Sequence, residues 1–122
     1  MGLVLNEDEV MLRDTAEGFF ADKAPVTSLR KLRDEQDETG FDRGLWAEMA
    51  EMGFTGVVID EDHGGVDMGF MAAGLIAEQM GRNLSASPFL STAILAATAL
   101  REGGTAEQKS EWLPKIAGGE AI

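Results

Sequence analysis

Cysteine and tyrosine are absent from this 122-residue chain, and histidine occurs once, as His63. Without cysteine there is no disulfide, no thiolate metal ligand and no thiol nucleophile. The missing tyrosine removes phenolic acid chemistry, and a single imidazole excludes a multi-histidine metal site. Positive charge is scarce too: 10 Lys+Arg stand against 22 Asp+Glu, a formal net charge of −12. A phosphate-backbone binder needs a basic surface, so no nucleic-acid partner is expected. Anionic membranes are disfavoured on the same ground. The least charged stretch, Asn83 to Leu100, has the length of a membrane span but carries five Ser/Thr and Pro88. It reads as a buried helix, with no membrane association expected. The N-terminus lacks the basic region and apolar run of a signal peptide. Asn6 stands where a myristoylation signal wants Ser or Thr, which leaves the cytoplasm as the expected location.

Apolar surface, by contrast, is plentiful. At 44% hydrophobic the chain can bury a core, and its length suits one domain, residues 1–122. Its charges are uneven: residues 1–67 hold 17 acids and 6 bases, residues 68–122 only 5 and 4. Between Met68 and Leu100 only Glu78 and Arg82 are charged. Such a block needs cover, and the acidic first half is expected to provide it.

Helix signals dominate. Asn6 with Glu9 resembles a capping box, ahead of Leu12, Ala16, Phe19 and Phe20 on one face. Pro25 sets a boundary, and Thr27 through Gln36 suits a more polar helix with Leu29 and Leu32 inward. Asp42 caps a third helix with Leu45, Met49 and Met52 inward and Trp46 and Ala50 alongside, ended by Gly53. Thr55 to Ile59 is the only strand-like run, too short and isolated for a sheet. Gly69 to Gly81 is an apolar helix rich in Ala and Gly. Ser87-Pro88 reads as an N-cap with Pro at N1 of a helix running to about Arg101, stopped by Gly103-Gly104. Thr105 with Gln108 forms a capping box for a last helix that buries Trp112, Leu113 and Ile116 and ends at Gly118-Gly119. Pro114 fits that helix only if it bends or tightens there. The expected fold is all-α, about six helices in an orthogonal or up-down bundle.

Candidate chemistry is thin. Gly64-Gly65-x-x-x-Gly69 lacks the G-x-G-x-x-G spacing and a surrounding βαβ unit, so it is no dinucleotide fingerprint. Asp60-Glu-Asp-His63 gathers three carboxylates and an imidazole, but without alternating acids and a twelfth-position Glu it reads as a solvated turn, not a metal site. Arg30-Lys31-x-Arg33, followed by Asp34-Glu35, reads as a salt-bridged helix surface, with anion binding as the sharper alternative. Ser85, Ser87, Ser91, Thr92 and Thr98 have no partner base and read as caps or back-bonded hydroxyls, or else as the polar lining of a pocket. The methionines read as core filler or an adaptable apolar lining.

Three ordered segments nevertheless carry a resemblance. They are Trp46-Ala-Glu-Met-Ala-Glu-Met-Gly-Phe54 with Gly56-Val-Val-Ile59; Glu61-Asp-His-Gly-Gly-Val-Asp-Met-Gly69 leading to Ala77-Glu-Gln-Met-Gly-Arg82; and Gly104-Thr-Ala-Glu-Gln-Lys109 with Leu113-Pro114 and Gly119-Glu120. In that order they resemble the N-terminal α-helical domain of the acyl-CoA dehydrogenases. The departures are Asp60 for the family's usual Pro, His63 for its usual aromatic, Trp112 for its usual Tyr, and Ser91 or Thr92 for a frequent His. The Asn83–Ser91 run is similar to bacterial members that handle bulky or unusual thioesters.

The resemblance implies an enzyme with a middle β-barrel and a C-terminal helical bundle, both outside these residues. FAD is then held mainly by those two domains, a C-terminal Glu takes the substrate α-proton, and the flavin takes the β-hydride. It implies an acyl-CoA substrate, an electron-transferring flavoprotein as electron acceptor and a homo- or hetero-oligomer. No catalytic residue and no metal ligand fall within the chain, which is expected to be a piece of a longer enzyme and inactive alone. Its share of the site is one wall of the acyl cavity, the Ser85–Leu95 segment, with Ser87, Leu90, Ser91 and Ile94 facing it. Two other readings compete: a free-standing helical binding module without catalysis, and a relative of the acyl-CoA oxidases, which pass electrons to oxygen.

Overall fold

The chain enters its first helix at Asn6, whose side chain accepts from Glu9 N at 2.8 Å while its own N–H donates to the Glu9 carboxylate at 3.0 Å. In the computed structural model, which describes residues 4–122, this helix is α1, Glu7–Lys23. It is followed by α2, Val26–Asp34, and α3, Arg43–Glu51. Two single 3₁₀ turns, Phe54–Gly56 and Glu61–His63, lead to α4, Gly69–Asn83. Helix α5 is composite: Phe89–Ala96 is π-helical and Ala97–Gly103 continues as α. The last helix is α6, Ala106–Ala117. No strand occurs among the described residues, so the all-α expectation holds.

The caps read from the sequence set the helix starts. Asp42 accepts from Gly44 N and Leu45 N at the head of α3, and Thr105 and Gln108 close a reciprocal box at the head of α6. Gly53 ends α3 with a left-handed φ of 82°, as a residue without Cβ does readily. Two boundaries moved. Helix α2 stops at Asp34, because Gln36 takes a left-handed φ of 53°. Helix α4 runs past Gly81 to Asn83, with Leu84 in the left-handed cap position and Ser85 N bonded back to Met80 O at 3.0 Å.

Packing follows the apolar faces. Helix α1 lies along α4, with Ala16 and Phe20 of one and Ala72, Ala73 and Ile76 of the other buried. The acidic first half therefore covers one side of the apolar block, as expected. It does not cover all of it. Helix α4 leaves Phe70, Gly74, Ala77 and Gly81 exposed, at spacings of four, three and four residues that align them in one uncharged stripe.

The core centre is not a helix. Val57, Val58 and Ile59 are 1% exposed or less, and the following loop returns over them: Val66 N bonds Gly56 O, Asp67 N bonds Ile59 O and Met68 N bonds Val57 O, at 2.9–3.0 Å. These bonds meet the backbone's needs without a ladder, and Thr55 Oγ1 donates to Ala117 O at 2.7 Å. The strand-like apolar run is thus a buried turn clasped by α6.

Two inward assignments are corrected. Met52 and Trp112 are each 43% exposed. The Lys115 ammonium sits 4.8 Å from the Trp112 ring centroid, so the partly exposed ring meets a cation at the surface. Pro114 stays within α6 and on its exposed side, where the donor it lacks is lost beside solvent.

Candidate functional site

Of the four residues expected on a cavity wall, the structure turns Leu90 and Ser91 outward; Leu90 is 65% exposed. Ser87 and Ile94 are half-buried, and Ile94 packs against the core. Ser87 Oγ accepts from Phe89 N at 3.2 Å, but the helix begins at Phe89 with Pro88 in the N-cap position, so Ser87 stands one residue ahead of the expected cap and Pro88 is not at N1. Ser91 Oγ donates back to Pro88 O at 3.2 Å.

The shift from Ile94 has a geometric cause. The α spacing that joins 87, 90, 91 and 94 on one face does not apply where hydrogen bonds run to the fifth residue. In the π segment Leu95, 59% exposed, joins Leu90 on the open face instead. A sequence pattern of apolar residues carries no mark of π winding, so an α spacing does not single out Leu95 within the Ser85–Leu95 segment. Among the other hydroxyls, Ser85 Oγ donates to Ala24 O at 2.7 Å, tying the end of α1 to the α4–α5 connection, and Thr92 is buried.

Three clefts stand out among the described residues. One, about 450 Å³, lies between α2, the start of α3 and Ser85–Ala86. A second, about 340 Å³, is lined by Met11, Leu12, Met52, Phe54 and Met68 with Asp8 and Thr15. The third, about 320 Å³, lies against Trp112, Leu100 and Gly103–Gly104. Among the described residues, three buried side-chain polar atoms lack a partner: Trp46 Nε1, Gln79 Oε1 and Thr98 Oγ1. None of these residues lines a cleft. The described residues by themselves therefore do not fit a flavin, which needs converging polar groups around an enclosed ring. No group of acids and histidine with metal-site geometry occurs among them either.

The acidic loop has a structural role. Asp60 caps the Glu61–His63 turn through His63 N and also holds the ring nitrogen Nδ1 of His63. The two departures from the family pattern are thus partners. The His63 side-chain hydrogen bond holds the Asp60 carboxyl below its usual range, helped by the charges of His63 and Arg101 and opposed by desolvation. A lowered folded-state pKa contributes stability that is fully present above the ordinary carboxylate pKa and is lost as pH falls through the lowered one. Asp60→Asn keeps the cap acceptor but not the charge. Its urea midpoint is expected to lie below that of the parent at pH 6 and to converge on it as pH falls below the usual carboxylate range. A gap that is constant or widens on acidification would refute this assignment. Asp60 is 43% exposed, so the effect is small.

Residues 6–120 match the family described as acyl-CoA dehydrogenase, N-terminal domain. The chain is 32% identical over 120 residues to (2S)-methylsuccinyl-CoA dehydrogenase of Cereibacter sphaeroides, covering 97% of this chain and 21% of that protein. Among solved structures it resembles a variant of the Tcur3481–Tcur3483 steroid ACAD, with a TM-score of 0.83 and 35% identity over 93% of this chain and 30% of that one. It also resembles the ChsE4–ChsE5 complex of Mycobacterium tuberculosis, with a TM-score of 0.87 and 25% identity over 100% of this chain and 33% of that one. The chain therefore spans between about a fifth and a third of the length of these relatives.

Proposed function

The chain belongs to the acyl-CoA dehydrogenase family, matching its N-terminal domain, and from that premise we propose that it forms the substrate-side helical domain of a flavin-dependent acyl-CoA dehydrogenase. The proposed reaction is α,β-dehydrogenation of an acyl-CoA thioester, within fatty-acid-type metabolism in the cytoplasm. FAD is held mainly by a middle β-barrel and a C-terminal helical domain, and an electron-transferring flavoprotein takes the electrons. The whole enzyme is a homo- or hetero-oligomer.

One observation carries the assignment of this domain's role. The open, uncharged side of α5, with Leu90, Ser91 and Leu95, lies in a family match that runs nearly the length of the chain. Exposed apolar area of that kind favours burial against something. Ser87 and Ile94 flank it as the half-buried edge of the same wall. The segment Ser85-Ala-Ser-Pro-Phe-Leu-Ser-Thr-Ala93 is made largely of small side chains, which leaves room for a wide acyl group. The name of the steroid ACAD neighbour supports the same reading.

Expressed from its complete coding region, the protein is expected to purify with a flavin absorption band that bleaches when a bulky acyl-CoA is added without oxygen. Leu90→Trp, which narrows the wall, is expected to lower kcat/KM about tenfold with flavin content unchanged. The 122 residues alone are expected to bind no flavin. A well-folded complete protein that takes up neither flavin nor acyl-CoA would make the chain a helical binding module. Turnover that uses oxygen directly would move it to the oxidases.

A further inference from the structure

Helix α2 buries none of its residues, although Leu29 and Leu32 repeat on one side of it. Among the described residues, no hydrogen bond and no ion pair of residues 26–36 reaches beyond residues 25–37. The segment is bounded by Pro25 at its start and, at its end, by Gln36 in the left-handed region with a φ of 53°. A helix held by so few buried contacts moves at lower cost than the packed α1–α4 pair.

Leu29 and Leu32, both half-buried, line the cleft of about 450 Å³. Ala24, Phe41, Leu45 and Ala86 complete its apolar lining, and each of them is buried or half-buried. The charged residues of the lining are all exposed, with Lys23, Lys31 and Arg43 against Glu35, Asp37 and Asp42. The cleft therefore has an apolar interior beneath a charged rim of no net charge. A head group of either sign meets attraction and repulsion together there, both screened by solvent. Apolar contact is what remains to select a ligand, and the volume lies in the range of small-molecule sites.

We propose that this cleft binds a medium-chain aliphatic molecule, recognised by its hydrocarbon body and not by head-group charge, with α2 as a lid that settles onto it. The ligand covers Leu29 and Leu32, which the rest of the chain leaves half-exposed, and so supplies α2 with the apolar packing that holds it. Phe41 and Leu45 carry the ligand from the other side of the lining. The site is separate from the α5 wall and does not depend on the enzyme reading.

The test is amide hydrogen exchange, read by mass spectrometry on the protein expressed from its complete coding region, with 1-octanol as the probe. Without the probe, residues 26–36 are expected to exchange faster than α1 and α4. At about 2 mM octanol their exchange is expected to slow about fivefold, as for a complex with a Kd of about 0.5 mM. Octanoate and octyltrimethylammonium are expected to protect within about twofold of octanol, because the rim favours neither sign. Hexanol, two methylenes shorter, is expected to bind about tenfold more weakly. Leu29→Ser and Leu32→Ser are each expected to remove most of the protection, whereas Lys31→Glu on the rim leaves it unchanged. Exchange in α1 and α4 reports whether each variant is folded. The proposal fails if residues 26–36 gain no protection, if protection is confined to residues 87–95, if one charged head binds more than about fivefold tighter than the other, or if hexanol equals octanol.

Discussion

Phe54→Ala is expected to lower the unfolding free energy by about 3–5 kcal/mol, the range for emptying a buried aromatic site. Phe54 is 1% exposed and stands at the meeting of three aromatic rings. Phe20 stacks on it with centroids 5.7 Å apart, and Phe19 meets it edge-on at 5.4 Å. Each aromatic pair adds about 0.5–1.5 kcal/mol beyond burial. Phe54 opens the turn that carries Thr55 to Ile59, and the Thr55 hydrogen bond to Ala117 O ties that turn to α6, which limits its collapse into the void. Total stability of a domain this size is about 5–15 kcal/mol, so the variant would lose a large part of its stability. Urea unfolding with an unchanged slope and a lower midpoint would verify it. A loss below about 1 kcal/mol would mean the ring cluster is not the anchor the geometry indicates.

Gly65→Ala is the second large effect, expected at about 3 kcal/mol or more. A Cβ on Gly65 would lie 1.9 Å from Ile59 O and 2.4 Å from Ile59 C. Both obstacles are backbone, and that same Ile59 carbonyl accepts from Asp67 N at 2.9 Å, so it cannot step aside cheaply. The neighbouring glycine is the control. Gly64 has a left-handed φ of 85° but open space around its Cβ direction. Gly64→Ala therefore carries only the backbone penalty, about 1–2 kcal/mol. Side-by-side thermal melts should rank Gly65→Ala as the more damaging of the two. The reverse order would show that left-handed strain, and not close approach of the two chain segments, governs this turn.

Much of this molecule was legible as sequence because the relevant chemistry is local. Asn6 with Glu9 and Thr105 with Gln108 act within three residues, so the helices they start could be placed from the sequence pattern. The acidic outer layer and the apolar α4–α5 block were equally visible as composition. Of the residues expected on the candidate wall, Leu90 and Ser91 are exposed and Ile94 is half-buried, while Leu95, outside the α spacing, is exposed as well. The winding of that helix depends on the proline start and on what packs against Phe89, Thr92 and Ala93, all buried. Met52 and Trp112 were misplaced for a related reason: helical periodicity names a face, but not the width of the face that a neighbour covers.

The sequence by itself determined the helical class, the capping boxes at Asn6 and Thr105 and the family, since each rests on residue chemistry or on ordered motifs. Only the tertiary structure decided that an irregular apolar run would become the centre of the core. It also decided that α2 would stand over a cleft, and that the absent tyrosine's counterpart, Trp112, would meet a lysine at the surface. Those outcomes depend on contacts such as Thr55 with Ala117 and Ser85 with Ala24, 62 and 61 residues apart. No local window contains both partners of such a bond, so only the folded chain can reveal it.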